Sequence, residues 1–177
     1  MQNSKVEDTK FQRNTSIRVR DILFDLSTPK VMGIVNVTPD SFYSESRAAQ
    51  ANLLFIVEKM LNEGMQIVDI GGYSSRPGST EITVKEELNR VIPAISAIRK
   101  AFPDLIISLD TFRSEVAEKG ILTGADIIND ISGFSIEPQL IDVVSKYKVP
   151  YILMHMRGTP ETMNSLTNYD SIFNDMI

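Results

Sequence analysis

Six polar side chains stand at or near the ends of short apolar runs: Asn36, Ser75, Arg76, Asp110, Asn129 and His155. Asp110 terminates Leu105-Ile106-Ile107-Ser108-Leu109, where desolvating a carboxylate is costly without a partner. A ligand with adjacent N–H donors would satisfy both its oxygens; capping the helix that follows is the other role open to it. Asn129 offers one acceptor and two donors, which suits a heterocycle bearing both kinds of group, or else a turn that satisfies its own backbone. Ser75-Arg76-Pro77-Gly78 combines a hydroxyl, a fixed cation and backbone amides, the ingredients of a phosphate or diphosphate site; Arg76 could equally be a solvated surface charge. His155, between Met154 and Met156, has no acidic or nucleophilic partner recognisable in sequence and is expected to be structural. Asn36 opens the polar tip Asn36-Val37-Thr38-Pro39-Asp40-Ser41-Phe42, read either as a ligand-binding strand end or as an ordinary polar turn.

The elements that must hold these tips follow from hydrophobic period. Val31 to Val35 predicts a strand buried on both faces, because a half-exposed strand would alternate polar and apolar residues. Further strands are expected at 66–70, 105–109, 126–128 and 151–154. Between them, Leu53, Leu54, Val57, Met60 and Leu61 recur at helical spacing before Gly64. Thr83 with Glu86 predicts a capping box ahead of the stripe Val84, Leu88, Val91, Ile92, Ile95 and Ile98, with a kink at Pro93. Shorter helices are expected over 114–122, closed by Gly124, then after Pro138, and from Asp170 onward. Ile17, Val19, Ile22, Phe24 and Leu26 alternate with polar residues and predict an antiparallel hairpin ahead of the main sheet, while residues 1–15 are too polar to be more than a disordered arm. Five strand-then-helix units mean a parallel sheet, either an open doubly wound sheet or a β/α barrel. Each unit averages about 29 residues, so eight of them would approach typical barrel length.

Composition narrows the function classes. The 177 residues are 42% hydrophobic and 23% charged, ordinary for one globular domain spanning residues 16–177. A net charge of -5 argues against broad attachment to nucleic acid or an anionic membrane. The absence of cysteine removes disulfides, thiolate nucleophiles and thiolate-bound metals, and a single histidine removes a multi-histidine site. No apolar run approaches the roughly 18 residues of a membrane span and the first residues lack a signal-like apolar core, so a cytoplasmic location is expected.

Taken together the tips resemble the dihydropteroate synthases, the pterin-binding enzymes of folate synthesis. The resemblance is carried by Met32 to Phe42, Asp69-Ile70-Gly71-Gly72-Tyr73-Ser74-Ser75-Arg76-Pro77-Gly78, Ser108-Leu109-Asp110-Thr111, Gly124 to Ile131, and Leu153-Met154-His155-Met156, in family order and spacing. It implies an eight-stranded β/α (TIM) barrel. It also implies displacement of diphosphate from 6-hydroxymethyl-7,8-dihydropterin diphosphate by p-aminobenzoate through a pterin carbocation. Asp110 and Asn129 would then hold the amino-pyrimidine edge of the pterin, with Ser75, Pro77 and Met154 also at the substrates. Asn36 would reach magnesium and the diphosphate. Thr38, Asp40 and Phe42 would lie in one loop over the site and Arg76 in a second, with no protein nucleophile. A homodimer is implied for full-length members.

Two departures from the family pattern stand out. Tyr73 occupies a position where many relatives carry Glu. An Asp-Pro-Gly stretch, a Ser-Arg-Lys stretch and a terminal Arg-x-His are missing, so the chain is expected to be the first two-thirds of a synthase, truncated after about five βα units and inactive alone. A non-catalytic pterin-binding remnant is the alternative from another class. A pterin-dependent methyltransferase domain is the alternative enzyme, although the Asn36 to Phe42 loop is not expected there.

Overall fold

Alternation over Ile17, Val19, Ile22 and Phe24 produces the expected hairpin: β1 (Ser16–Val19) pairs antiparallel with β2 (Ile22–Asp25), Val19 opposite Ile22. The protein was analysed as a computed structural model that describes residues 15–37, 47–73, 82–159 and 162–176. The proposed arm over residues 1–14 and the loop residues Thr38, Asp40, Phe42, Ser75, Arg76 and Pro77 lie outside the described residues.

After the hairpin the chain alternates strictly: β3 (Met32–Asn36), α1 (Arg47–Asn62), β4 (Ile67–Gly71), α2 (Val84–Ala101), β5 (Ile106–Asp110), α3 (Ser114–Thr123), β6 (Ile127–Asp130), α4 (Leu140–Tyr147) and β7 (Tyr151–Leu153). A 3-10 turn (Met163–Ser165) and α5 (Ile172–Met176) follow. The strands form one parallel sheet in the order β3-β4-β5-β6-β7. A doubly wound sheet needs a reversal of strand order to place helices on both faces; here the order follows the chain, and α1, α2, α3 and α4 pack in succession, each against the next, as in a β/α barrel.

The two faces of the sheet differ in what covers them. Val35, Val68, Ile70, Ile107, Leu109 and Ile128 pack under the helices with Leu53, Val57, Val91, Ile95 and Ile98. The alternate residues Met32, Ile67, Ile106 and Ile127 face the other way and pack around Val19, so the hairpin closes the amino-terminal end of the interior face. Arg20 locks the hairpin there, donating to the carbonyls of Pro103 (3.0 Å) and Asp104 (3.1 Å) and pairing with Asp126 at 3.1 Å.

Local signals placed the helix ends. Thr83 Oγ1 accepts from Glu86 N at 3.2 Å while Glu86 returns a carboxylate to Thr83 N at 2.7 Å, completing the capping box. α2 runs on through Pro93, the expected kink position, as one helix. Gly64 (φ 102°) and Gly124 (φ 126°) both take the positive φ that closes α1 and α3.

One expectation is corrected. β3 is not buried on both faces: Ile34 is 63% exposed, and only Val35 within it is buried. β3 is an outer strand of the described sheet, and above the hairpin its interior face has no covering layer among the described residues; the inner strand β4 is buried along its whole length. No helix among the described residues is long and apolar enough to cross a membrane.

Candidate functional site

Strand register turns sequence-distant tips into one line. Asn36, Gly71, Asp110, Asn129 and Ile152 are successive partners across β3 to β7, at the carboxyl ends of the strands. Side-chain alternation puts all of them on the interior face, one row above Asp69 and Ser108. Gly71 is where the row closes up: a Cβ there would lie 3.2 Å from Asn36 Oδ1 and 3.5 Å from Asp110 Oδ2. Its missing side chain leaves that space to the two polar groups.

Asp110 makes no hydrogen bond or ion pair with any described residue, and it does not cap α3. The α3 terminus is served instead by Glu137, whose Oε1 accepts from Ser114 N at 3.0 Å. Burial pushes the Asp110 carboxyl up to about 7, and the charges of Asp69, Glu87 and Asp130 push the same way. Asn129 is no turn residue either: it lies within β6 and donates from Nδ2 to Asp69 Oδ2 at 3.0 Å, across 60 positions of sequence.

Beside Asp110 a small recess is lined by Tyr73, Glu87, Asp110, Thr111, Phe112 and Ile131. Its wall is a buried polar network. Glu87, 1% exposed, accepts from Thr111 Oγ1 at 2.7 Å and pairs with Arg113 at 2.8 Å. Burial raises the Glu87 pKa, and Thr111, Arg113 and Arg90 oppose the rise. Arg113 also donates to Ile82 O at 2.6 Å and stacks over Tyr73 and Phe112, whose rings meet edge to face at 5.7 Å. Tyr73, the departure from the family's Glu, is thus part of an aromatic and cationic wall. Arg90 donates to Gly72 O at 2.9 Å, so guanidinium groups hold the chain on both sides of the stretch bearing Ser75, Arg76 and Pro77.

The far side of the rim is fixed by Asp130, which accepts from Ser132 N (2.7 Å), Phe134 N (2.9 Å) and Tyr151 Oη (2.6 Å). Met154 follows β7 directly and is 37% exposed at this rim. His155 is satisfied by Asp175 at 3.2 Å, with the Tyr169 hydroxyl at 3.5 Å, in keeping with a structural role.

A family model described as pterin binding enzyme matches residues 32–177. The chain belongs to the pterin-binding enzyme family. Among curated relatives, the dihydropteroate synthase of Synechocystis is 46% identical over 150 residues, 82% of this chain and 50% of the relative. That of Escherichia coli is 46% identical over 153 residues, 84% of this chain and 52% of the relative. The chain therefore spans about half the length of these relatives. Among solved structures, Yersinia pestis dihydropteroate synthase in a sulfonamide complex is similar with a TM-score of 0.78 at 38% identity, covering 91% of this chain and 58% of that one. The Burkholderia cenocepacia enzyme complexed with 7,8-dihydropteroate has a TM-score of 0.70 at 37% identity, covering 84% and 49%.

Reading the tips alone missed Asp69, Glu87 and Arg113. Two of them leave a trace: Asp69 interrupts the apolar run Ile67 to Ile70, and Glu87 falls on the apolar stripe of α2 between Val84 and Val91. Arg113 has no such mark, since its partners lie at positions 82 and 87.

Proposed function

We propose that the protein carrying this chain is a dihydropteroate synthase of folate biosynthesis. It would condense 6-hydroxymethyl-7,8-dihydropterin diphosphate with p-aminobenzoate to give 7,8-dihydropteroate and diphosphate. The observation that carries the reading is the row Asn36, Gly71, Asp110 and Asn129, an acceptor-rich edge at the carboxyl ends of parallel strands with a carboxylate that has no partner among the described residues. The names and bound molecules of the similar proteins support it.

In this reading Asp110 and Asn129 accept the N–H groups of the amino-pyrimidine edge and orient the pterin. As the bond from the pterin methylene carbon to the diphosphate oxygen breaks, positive charge spreads into the ring, and the Asp110 carboxylate at its edge favours that charge. The arylamine nitrogen then bonds the same carbon and loses a proton. No protein nucleophile takes part. Thr38, Asp40, Phe42, Ser75, Arg76 and Pro77 are assigned to the substrates by resemblance, Met154 by resemblance and by its place on the rim.

Asn36 fits a role toward magnesium, because its amide oxygen is a hard neutral donor at the rim and this ion takes one or two protein oxygens together with substrate phosphates. Bound there, magnesium would neutralise charge on the departing diphosphate. The test is to express the reading frame to its stop codon and to follow diphosphate release and 7,8-dihydropteroate by mass. Release that requires both p-aminobenzoate and magnesium is expected; release indifferent to the arylamine overturns the reading.

A further inference from the structure

One row beneath the ligand-facing line lies a carboxylate that no cation among the described residues pairs with. Asp69 is 3% exposed and forms no ion pair among the described residues. Among the described residues its Oδ1 has no hydrogen-bond partner, and neither has Ser108 Oγ, its register partner on β5. Burial raises the Asp69 pKa, and the nearby Ser108 hydroxyl and the Asn129 amide oppose the rise by favouring the ionised form. A bare carboxylate in a barrel interior costs stability, and an apolar residue of similar size would be cheaper. Among the described residues, the one hydrogen bond its side chain makes is the 3.0 Å contact with Asn129 Nδ2.

That contact decides which way round the Asn129 amide lies. The two ends of an amide have nearly the same shape, so only their partners distinguish them. An ionised carboxylate accepts and cannot donate, so Asp69 Oδ2 can face Nδ2 but not Oδ1. With one Nδ2 hydrogen held below, Oδ1 and the second hydrogen remain for the row that Asn129 shares with Asp110. A flipped amide would set Oδ1 against Oδ2 in a buried place, acceptor against acceptor. Resting on the reading of this site as a pterin pocket, we propose that Asp69 is a positioning residue that fixes the Asn129 amide through Nδ2, so that the site presents an acceptor to the ligand and selects rings carrying an amino group over rings carrying an oxo group there. The charges acting on neighbouring Asp110 are those of Asp69, Glu87 on α2 and Asp130 on β6, all acidic, and among the described residues no cation pairs with Asp69.

The experiment uses the protein expressed from the complete reading frame and two probes, 6-hydroxymethylpterin and the 2,4-dioxo ring 6-hydroxymethyllumazine, with affinities measured by calorimetry. Wild type should prefer the pterin. Asp69→Asn can hold the Asn129 amide either way round, so the preference should narrow roughly tenfold while lumazine affinity stays or rises. A general structural defect would instead lower both affinities together. An unchanged ratio in Asp69→Asn overturns the inference and leaves the pterin-pocket reading standing, whereas wild-type protein that binds neither ring overturns both. The pair exchange Asp69→Asn/Asn129→Asp keeps the test decisive if the single variant does not unfold cooperatively. The carboxylate then presents an acceptor to the rim whichever way it turns, and the preference should return to within a few fold of wild type; its loss in the exchanged pair overturns the proposal.

Discussion

At Asp110, desolvation and three surrounding carboxylates act in one direction, and the consequences for folding and for binding have opposite signs. Its folded-state pKa is raised from 3.8 to about 7, so between those values the native state holds a proton that the unfolded state has lost. The stability this group contributes is therefore complete below about pH 4 and lost as pH rises through about 7. Without ligand, Asp110→Asn should gain stability over wild type at pH 8 and little at pH 4, read by urea unfolding at the two pH values. A pterin edge, in contrast, pairs with the ionised form. Wild-type affinity for 6-hydroxymethylpterin should rise from pH 5.5 to pH 8. Asp110→Asn should lose a charge-assisted pair, about tenfold to a hundredfold in affinity, and flatten the profile. Unchanged calorimetric binding by that variant at pH 8 would remove Asp110 from the site.

Between elements, the contact with most at stake joins α2 to the turn after β5. Glu87 and Arg113 are both nearly buried, and Arg113 also holds the Ile82 carbonyl and two aromatic rings. Removing one partner leaves the other charge buried and alone, a loss on the order of 3–5 kcal/mol. Glu87→Ala should therefore lower the urea midpoint far more than Thr83→Ala, which removes half of an exposed capping box for about 1 kcal/mol. Equal shifts from the two variants would mean that the buried network adds nothing beyond an ordinary cap. At the opposite end of the sheet Arg20 ties the hairpin to Pro103, Asp104 and Asp126. Arg20→Ala should speed amide exchange at Ile17 and Val19 more than at Ile107, because the hairpin then keeps only its apolar contacts to the sheet.

Across the whole molecule the five βα units form a sheet whose helix-covered face is a continuous core, while its interior face carries the polar row and exposed Ile34 and Ile152. Such a face binds apolar dye when nothing covers it. Residues 1–177 expressed alone should bind anilinonaphthalene sulfonate more strongly than the product of the complete reading frame, and equal dye binding would show that this face is shielded in both. Hydrophobic period placed the strands and helices, Thr83 with Glu86 and the glycines at 64 and 124 placed helix ends, and the polar tips with the motifs around them pointed to the family; each of these signals spans only a few neighbouring residues, so it survives without coordinates. The exposure of β3 was beyond such signals, because a Val- and Ile-rich run looks alike whether its strand is inner or outer. Only the tertiary structure decided that Asp110 stands without a partner among the described residues, that Asn129 rests on Asp69, that Glu87 meets Arg113 and that Arg20 bolts down the hairpin. Those pairings join residues 26 to 106 positions apart, and they depend on strand register and on how the helices pack, quantities that local periodicity does not contain.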